Sequence, residues 1–176
     1  MGWSQGGTDA LLAAEAHPGT FQAVVTWSGA LELNGASLFA GTSFEDAYAQ
    51  AKKEGFYTMT FDWREPLELG ERWFQEVAET NILKVTADIK APILAINGKD
   101  DTTVTPDNAE KIVKAAANAD SQLLLVDNCD HTYNVFSGDF TALYQTVDAT
   151  AAFFQAQLIP LSLIHISEPT RLALIS

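Results

Sequence analysis

Short apolar runs, each long enough for one buried strand, alternate with alanine-rich or amphipathic stretches along most of this chain. The runs cover residues 21–27, 91–97 and 122–126. They close on Ser28-Gly29, on Gly98-Lys99-Asp100-Asp101 and on Asp127-Asn128-Cys129-Asp130-His131. Strands with no polar alternation are covered on both faces, which predicts a parallel sheet. Between them, residues 8–16 are rich in Ala and Leu and stop at His17-Pro18-Gly19, which predicts a helix. Thr105-Pro106 starts a second helix reaching about residue 118. A third covers about 139–157, with Phe140, Leu143, Tyr144, Val147, Phe153 and Phe154 on its apolar side. The alternation predicts an α/β chain, whose ligands bind beyond the carboxyl ends of the strands. Ser28, Asp101 and His131 all lie there.

Residues 31–88 break the rhythm. They predict a helix over 44–53, a hairpin within the aromatic stretch 56–66 turning near Asp62-Trp63, and a helix over 71–80. An insertion of this length between core strands is usually functional, often a lid. Tyr57, Phe61, Trp63 and Trp73 either line a pocket for an acyl or aromatic group or form the insertion's own core. The chain therefore divides into 1–30, the insertion 31–88, a core segment 89–160 and a tail 161–176. From Leu161 to Arg171 the tail reads as the translation of a transposon-library sequencing adaptor, so it is set aside from fold and function.

The candidate chemistry begins at Gly2-Trp3-Ser4-Gln5-Gly6-Gly7, directly ahead of the first helix. A serine on a sharp strand-to-helix turn stands clear of the sheet, and bulky side chains two residues either side would collide. Gly2 and Gly6 are expected to remove those collisions. Ser4 is the candidate nucleophile, and the Gln5 amide at the helix start is a candidate oxyanion donor. A serine hydroxyl needs a base, and the base needs an acid that holds its tautomer. His165 falls in the tail and His17 ends the first helix, so His131 is the expected base. The spacing G-x-x-D-x-x-V favours Asp101 over Asp100 as the acid, while Asp127 and Asp130 read as turn formers. Cys129 reads as a small buried residue. No cysteine–histidine cluster has zinc spacing and no phosphate loop is present, so neither metal nor cofactor is expected.

With 176 residues, 47% of them hydrophobic, the chain is long enough for one domain with a core. A net charge of -13 disfavours nucleic acid and anionic lipid, and no apolar run predicts membrane insertion. One cysteine excludes an internal disulfide. Only Met1 precedes the turn motif, so the strand leading into Ser4 and any export signal are expected to lie upstream; the compartment stays open between cytoplasm and secretion, and so does the oligomeric state.

In their order, Gly2-Trp3-Ser4-Gln5-Gly6-Gly7, Asp101 in its G-x-x-D-x-x-V setting and Asp130-His131-Thr132 resemble the α/β-hydrolase fold family over residues 2 to about 158. Within it the chain looks most like bacterial serine esterases and serine-aminopeptidase-type hydrolases carrying an insertion after the sixth core strand, feruloyl esterase-like proteins included. The resemblance implies Ser4 as nucleophile, Asp101 as acid, His131 as base, the Gln5 amide as half of an oxyanion hole, and Gly2, Gly6 and Gly7 as the elbow glycines. Trp3, Trp63 and Trp73 are its candidate pocket residues. It implies a partial α/β-hydrolase fold, the last core strands only, flanked by helices and carrying a cap insertion. The family's second oxyanion amide comes from a loop this chain lacks. A small-molecule ester or short peptide is the expected substrate of the intact protein, and little activity is expected of this stretch alone.

Overall fold

The computed structural model describes residues 1–34, 39, 41–61 and 64–162. Four strands, β1 (Gly2–Trp3), β2 (Val24–Trp27), β5 (Ile93–Gly98) and β6 (Gln122–Val126), form one sheet in the order β1-β2-β5-β6, and every neighbouring pair is parallel. β3 (Phe56–Met59) and β4 (Leu67–Gly70) make a separate antiparallel pair. The helices are α1 (Gln5–Ala16), α2 (Phe44–Glu54), α3 (Glu71–Glu79), α4 (Ile82–Asp88), α5 (Asp107–Ala115) and α6 (Thr141–Ser162).

The period-two geometry of a strand explains the layers. Every residue of β5 is buried, and its side chains divide between two cores. Ile93 and Ala95 join Val24, Leu11 of α1, Ile82 of α4 and Ile112 of α5 on one face. Leu94 and Ile96 join Val25, Val126 and Phe153 of α6 on the other. A charge on either side of β5 would face a core, which is why the run reads as continuously apolar. The Trp27 indole donates to Thr150 Oγ1 at 2.9 Å and ties α6 to β2.

A third core lies outside the sheet: Phe39, Phe44, Ala47, Ala51, Met59, Leu69 and Phe74 are buried together, with Tyr48, Tyr57, Phe61 and Trp73 packed around them. Most of the insertion's aromatics are thus core residues of their own cluster.

Several expectations shift. A two-residue strand does lead into Ser4, pairing Gly2 with Thr26 and Trp3 with Trp27, so the sheet has four strands rather than about three. α1 begins at Gln5 rather than residue 8, because the chain turns into the helix directly after Ser4. β2 is shorter than the 21–27 run; ladder pairing begins at Val24, and Phe21 stays 43% exposed. α4 has no counterpart in the apolar pattern; its seven residues are too few to show a helical period, and Asn81 caps it by accepting from the Lys84 amide at 3.0 Å. The turn expected at Asp62-Trp63 lies outside the described residues, as does the tail beyond Ser162.

Candidate active site

The turn between β1 and α1 is built as its sequence demands. Ser4 holds φ 56 and ψ -123, a left-handed conformation that a side chain adopts only at a cost. The surroundings hold it there: the Ser4 amide donates to the Trp27 carbonyl at 2.9 Å, and its own carbonyl accepts from Gly7 N at 2.9 Å. A Cβ on Gly2 would lie 1.8 Å from the Gly6 carbonyl oxygen, and one on Gly7 would lie 2.7 Å from the Gly29 Cα. At Gly6 a Cβ meets nothing within 4 Å. The expected collision at Gly6 is therefore corrected: Gly6 contributes a backbone carbonyl that Gly2 must clear, and the second close approach belongs to Gly7.

The tip of that turn meets two other strand ends. Ser4 Oγ is 3.1 Å from His131 Nε2, and His131 Nδ1 is 2.8 Å from Asp101 Oδ2. Asp101 follows β5 and is 2% exposed; its Oδ1 accepts from the Thr103 and Val104 amides at 2.9 and 2.8 Å. Burial pushes this carboxyl up, but hydrogen bonds from His131, the Val104 amide and Ser28, with the charge of His131, outweigh it and hold the group below the ordinary carboxylate value. Asp100 is exposed, and its amide donates to the Cys129 carbonyl at 3.0 Å. Gly98 permits this approach of loops, since a Cβ there would sit 2.1 Å from that same carbonyl oxygen.

His131 rides on a loop fixed by its neighbours. Asp130 accepts from the Thr132 amide and hydroxyl, both at 2.8 Å, and from the Asn134 amide at 2.9 Å. Asp127 pairs with Lys99 at 2.6 Å across exposed surface. Both behave as turn and surface carboxylates. Trp3 donates its indole N–H to the His131 carbonyl at 2.9 Å, with the rings 5.3 Å apart. Trp3 thus braces the histidine. Burial, then the charges of Asp130, Asp101 and Asp100, push the Cys129 thiol up to about 11, so it stays protonated at neutral pH. His17 sits at the far end of α1.

A cleft of about 850 Å³ opens beside Ser4 and Gln5, bounded by Leu12 of α1, Leu31, Trp73 and Val77 of α3, and Ile82 of α4. Trp73 reaches it from the aromatic cluster, its ring 5.0 Å from Phe74. Trp63 lies outside the described residues. Asp9, Glu32, Glu76, Glu79 and Asp107 also face the cleft, and Lys111 there is paired with Asp107 at 2.6 Å. Among the described residues no group of His, Cys, Asp and Glu is arranged to hold a metal, and no helix is long and apolar enough to cross a membrane.

Two site residues carried no sequence signal beyond their position. Asn97, fully buried in β5, donates to the Val104 carbonyl at 2.9 Å and so shapes the loop holding Asp101. Tyr133 drops into the core two residues past His131 and donates to the Ile96 carbonyl at 3.2 Å.

A parallel sheet covered on both faces, with a strained serine between strand and helix and an aspartate and a histidine arriving from later strand ends, is the architecture of an α/β-hydrolase. The chain belongs to the prolyl oligopeptidase family, whose sequence pattern matches residues 1–159. It is similar in fold to Est1E from Butyrivibrio proteoclasticus, at 20% identity and TM-score 0.68, covering 90% of this chain and 60% of that one. Est1E has also been solved with ferulic acid bound. The esterase domain of a Rhodothermus marinus protein is similar at 20% identity and TM-score 0.60, covering 85% of this chain and 58% of that one. A structure described under LipS and LipT, two metagenome-derived lipolytic enzymes, is similar at 19% identity and TM-score 0.62, covering 88% and 63%. The chain therefore spans about three fifths of the length of these structures. No curated protein matches the sequence.

Proposed function

We propose that the protein is a serine hydrolase of carboxylic esters, with Ser4 as nucleophile, His131 as general base and Asp101 as the acid that orients it. The observation carrying this reading is the unbroken run of hydrogen bonds from Ser4 Oγ through both nitrogens of His131 to Asp101, at 3.1 and 2.8 Å. His131 Nε2 takes the Ser4 proton as Oγ attacks the acyl carbonyl, and Asp101 stabilises the imidazolium that forms. The Gln5 amide at the start of α1 donates to the developing oxyanion. The histidine then protonates the leaving alcohol, and water, deprotonated by the same histidine, releases the acyl group from Ser4.

The acyl group enters the cleft beside Trp73, whose carboxylates disfavour anionic substrates. The ferulic acid bound to Est1E makes an aromatic acyl group a reasonable first choice. A second reading has a specific support: the family is named for prolyl oligopeptidases, and the same three groups would cleave a short peptide.

A fluorophosphonate probe tests the proposal on the chain itself. Ser4 is expected to be labelled and Ser4→Ala to be silent. Asp101→Asn should slow labelling by about 10³-fold or more, while Asp100→Asn stays within about twofold. A folded chain that leaves Ser4 unlabelled would make this a non-catalytic relative of the fold. Faster turnover of an aryl ester than of an aminoacyl anilide separates esterase from peptidase.

A further inference from the structure

A buried side-chain amide meets the acid at the oxygen that faces the base, and this inference rests on the hydrolytic reading of Ser4, His131 and Asp101. Asn97 is the last residue but one of β5, is 0% exposed and pairs with Leu125 of β6. Its Nδ2 stands 2.9 Å from the Val104 carbonyl, 3.3 Å from the Gly98 carbonyl and 3.4 Å from Asp101 Oδ2. Asp101 Oδ2 is also the atom 2.8 Å from His131 Nδ1, whereas Oδ1 accepts from the Thr103 and Val104 amides. Asn97 therefore reaches both ends of the loop that carries the acid, at Asp101 and at Val104.

Counting donors fixes which way the amide faces. Two backbone carbonyls and a carboxylate accept only, so the amide NH2 must turn toward them and the side-chain oxygen away. One hydrogen serves Val104 at the shorter distance, and the other is shared between Gly98 and Asp101. The side-chain oxygen is then buried with no hydrogen-bond partner among the described residues. An unpaired buried oxygen is destabilising, and residues 93–96 before it in β5 are apolar and buried throughout. A β-branched apolar residue would suit the strand better. What asparagine adds is the pair of hydrogens delivered to the acid and to its loop.

We propose that Asn97 is a positioning residue for the acid, its Nδ2 donating to Asp101 Oδ2 while it holds the Val104 carbonyl. Two backbone amides fix one carboxylate oxygen and Asn97 fixes the other, so the carboxylate is turned toward His131 Nδ1 before the imidazole becomes charged. The strand that fills both cores thus also orients the acid that follows it.

The test compares Asn97→Val and Asn97→Ala in the full chain, each alone and combined with Asp101→Asn. It reads thermal stability, the rate at which the fluorophosphonate labels Ser4, and the downfield proton resonance of His131 Nδ1–H. In Asn97→Val the lost donor and the removed unpaired oxygen oppose each other, so thermal stability should change little. Labelling should nonetheless fall about tenfold and the resonance should move or broaden, because a hydrogen bond to a charged group is gone. Asn97→Ala, which cannot overpack the strand, should give the same labelling and resonance at lower stability, and it carries the comparison if Asn97→Val does not fold. In the Asp101→Asn background either change should slow labelling by less than about twofold more, since no carboxylate is left to orient. A folded variant with the parent's labelling rate and an unmoved resonance overturns the inference, and so does a tenfold loss that persists without the Asp101 carboxylate. If the parent itself is not labelled, the hydrolytic reading fails; the resonance then decides alone, a shift supporting the positioning role and its absence ending it.

Discussion

Around Ser4 the three glycines stand in different surroundings, and the difference is measurable. Gly2 faces the Gly6 carbonyl at 1.8 Å from its would-be Cβ, and Gly7 faces the Gly29 backbone at 2.7 Å, while Gly6 faces open space. Backbone atoms cannot swing aside as a side-chain tip can. Gly2→Ala and Gly7→Ala are therefore expected to lower stability by ~1–3 kcal/mol or more and to slow Ser4 labelling. Gly6→Ala should keep both within about twofold, since alanine is the better helix former and nothing blocks it. Thermal unfolding and probe kinetics on the three variants check the ranking, and a Gly6→Ala chain as impaired as Gly2→Ala would refute it. The adjacent carboxylates of Asp101 and Asp100 differ because the first is buried under two amides and the second faces water.

Among the elements, α2 is the one most completely specified by local rules. Ser43 accepts from the Asp46 amide at 3.0 Å, Glu45 and Asp46 occupy the first turn, Lys52 and Lys53 the last, and Gly55 ends it at φ 91. Each feature satisfies a free end or complements the helix dipole. Its apolar side then packs with α3 and the β3–β4 pair around Phe74, which is 0% exposed. Because this cluster is separate from the two cores on the sheet, Phe74→Ala should cost ~3–5 kcal/mol locally. Hydrogen exchange should quicken in β3 and β4 and stay slow in β5. Equal loss of protection in β5 would mean that the cluster and the sheet unfold as one unit.

At the scale of the molecule, charge sets the response to acid. The net charge is -13, and the carboxyls of Asp101, Asp107, Asp130 and Asp139 are held below their ordinary value of 3.8 by hydrogen bonds and nearby charge. A carboxyl lowered in the folded state stabilises the fold above its unfolded value and loses that contribution as pH falls through the folded one. Asp9, raised by burial, works in the opposite direction. The four outnumber the one, so stability is expected to hold from neutrality toward 3.8 and to fall below it. Urea unfolding followed across that range measures the effect, and Asp101→Asn should make the decline shallower. A stability that rises on acidification below 3.8 would show that the raised group outweighs the four lowered ones. Relief of self-repulsion near the isoelectric point, about 4.4, acts above this window.

The sheet could be read from the chain because burial on both faces leaves an unbroken apolar run, as in β5, and turn residues mark where it stops. Ser4 and His131 were legible for a chemical reason: a turn flanked by glycines needs them in sequence, and few histidines compete for the role of base. Tertiary structure alone decided what depends on distance between segments far apart in the chain. It put Trp3 on the His131 carbonyl, Tyr133 beneath Ser28 and Gly7 against Gly29, and it turned most of the insertion's aromatics inward to their own core. A linear pattern records which face of its own element a residue occupies; it holds no term for what arrives from another.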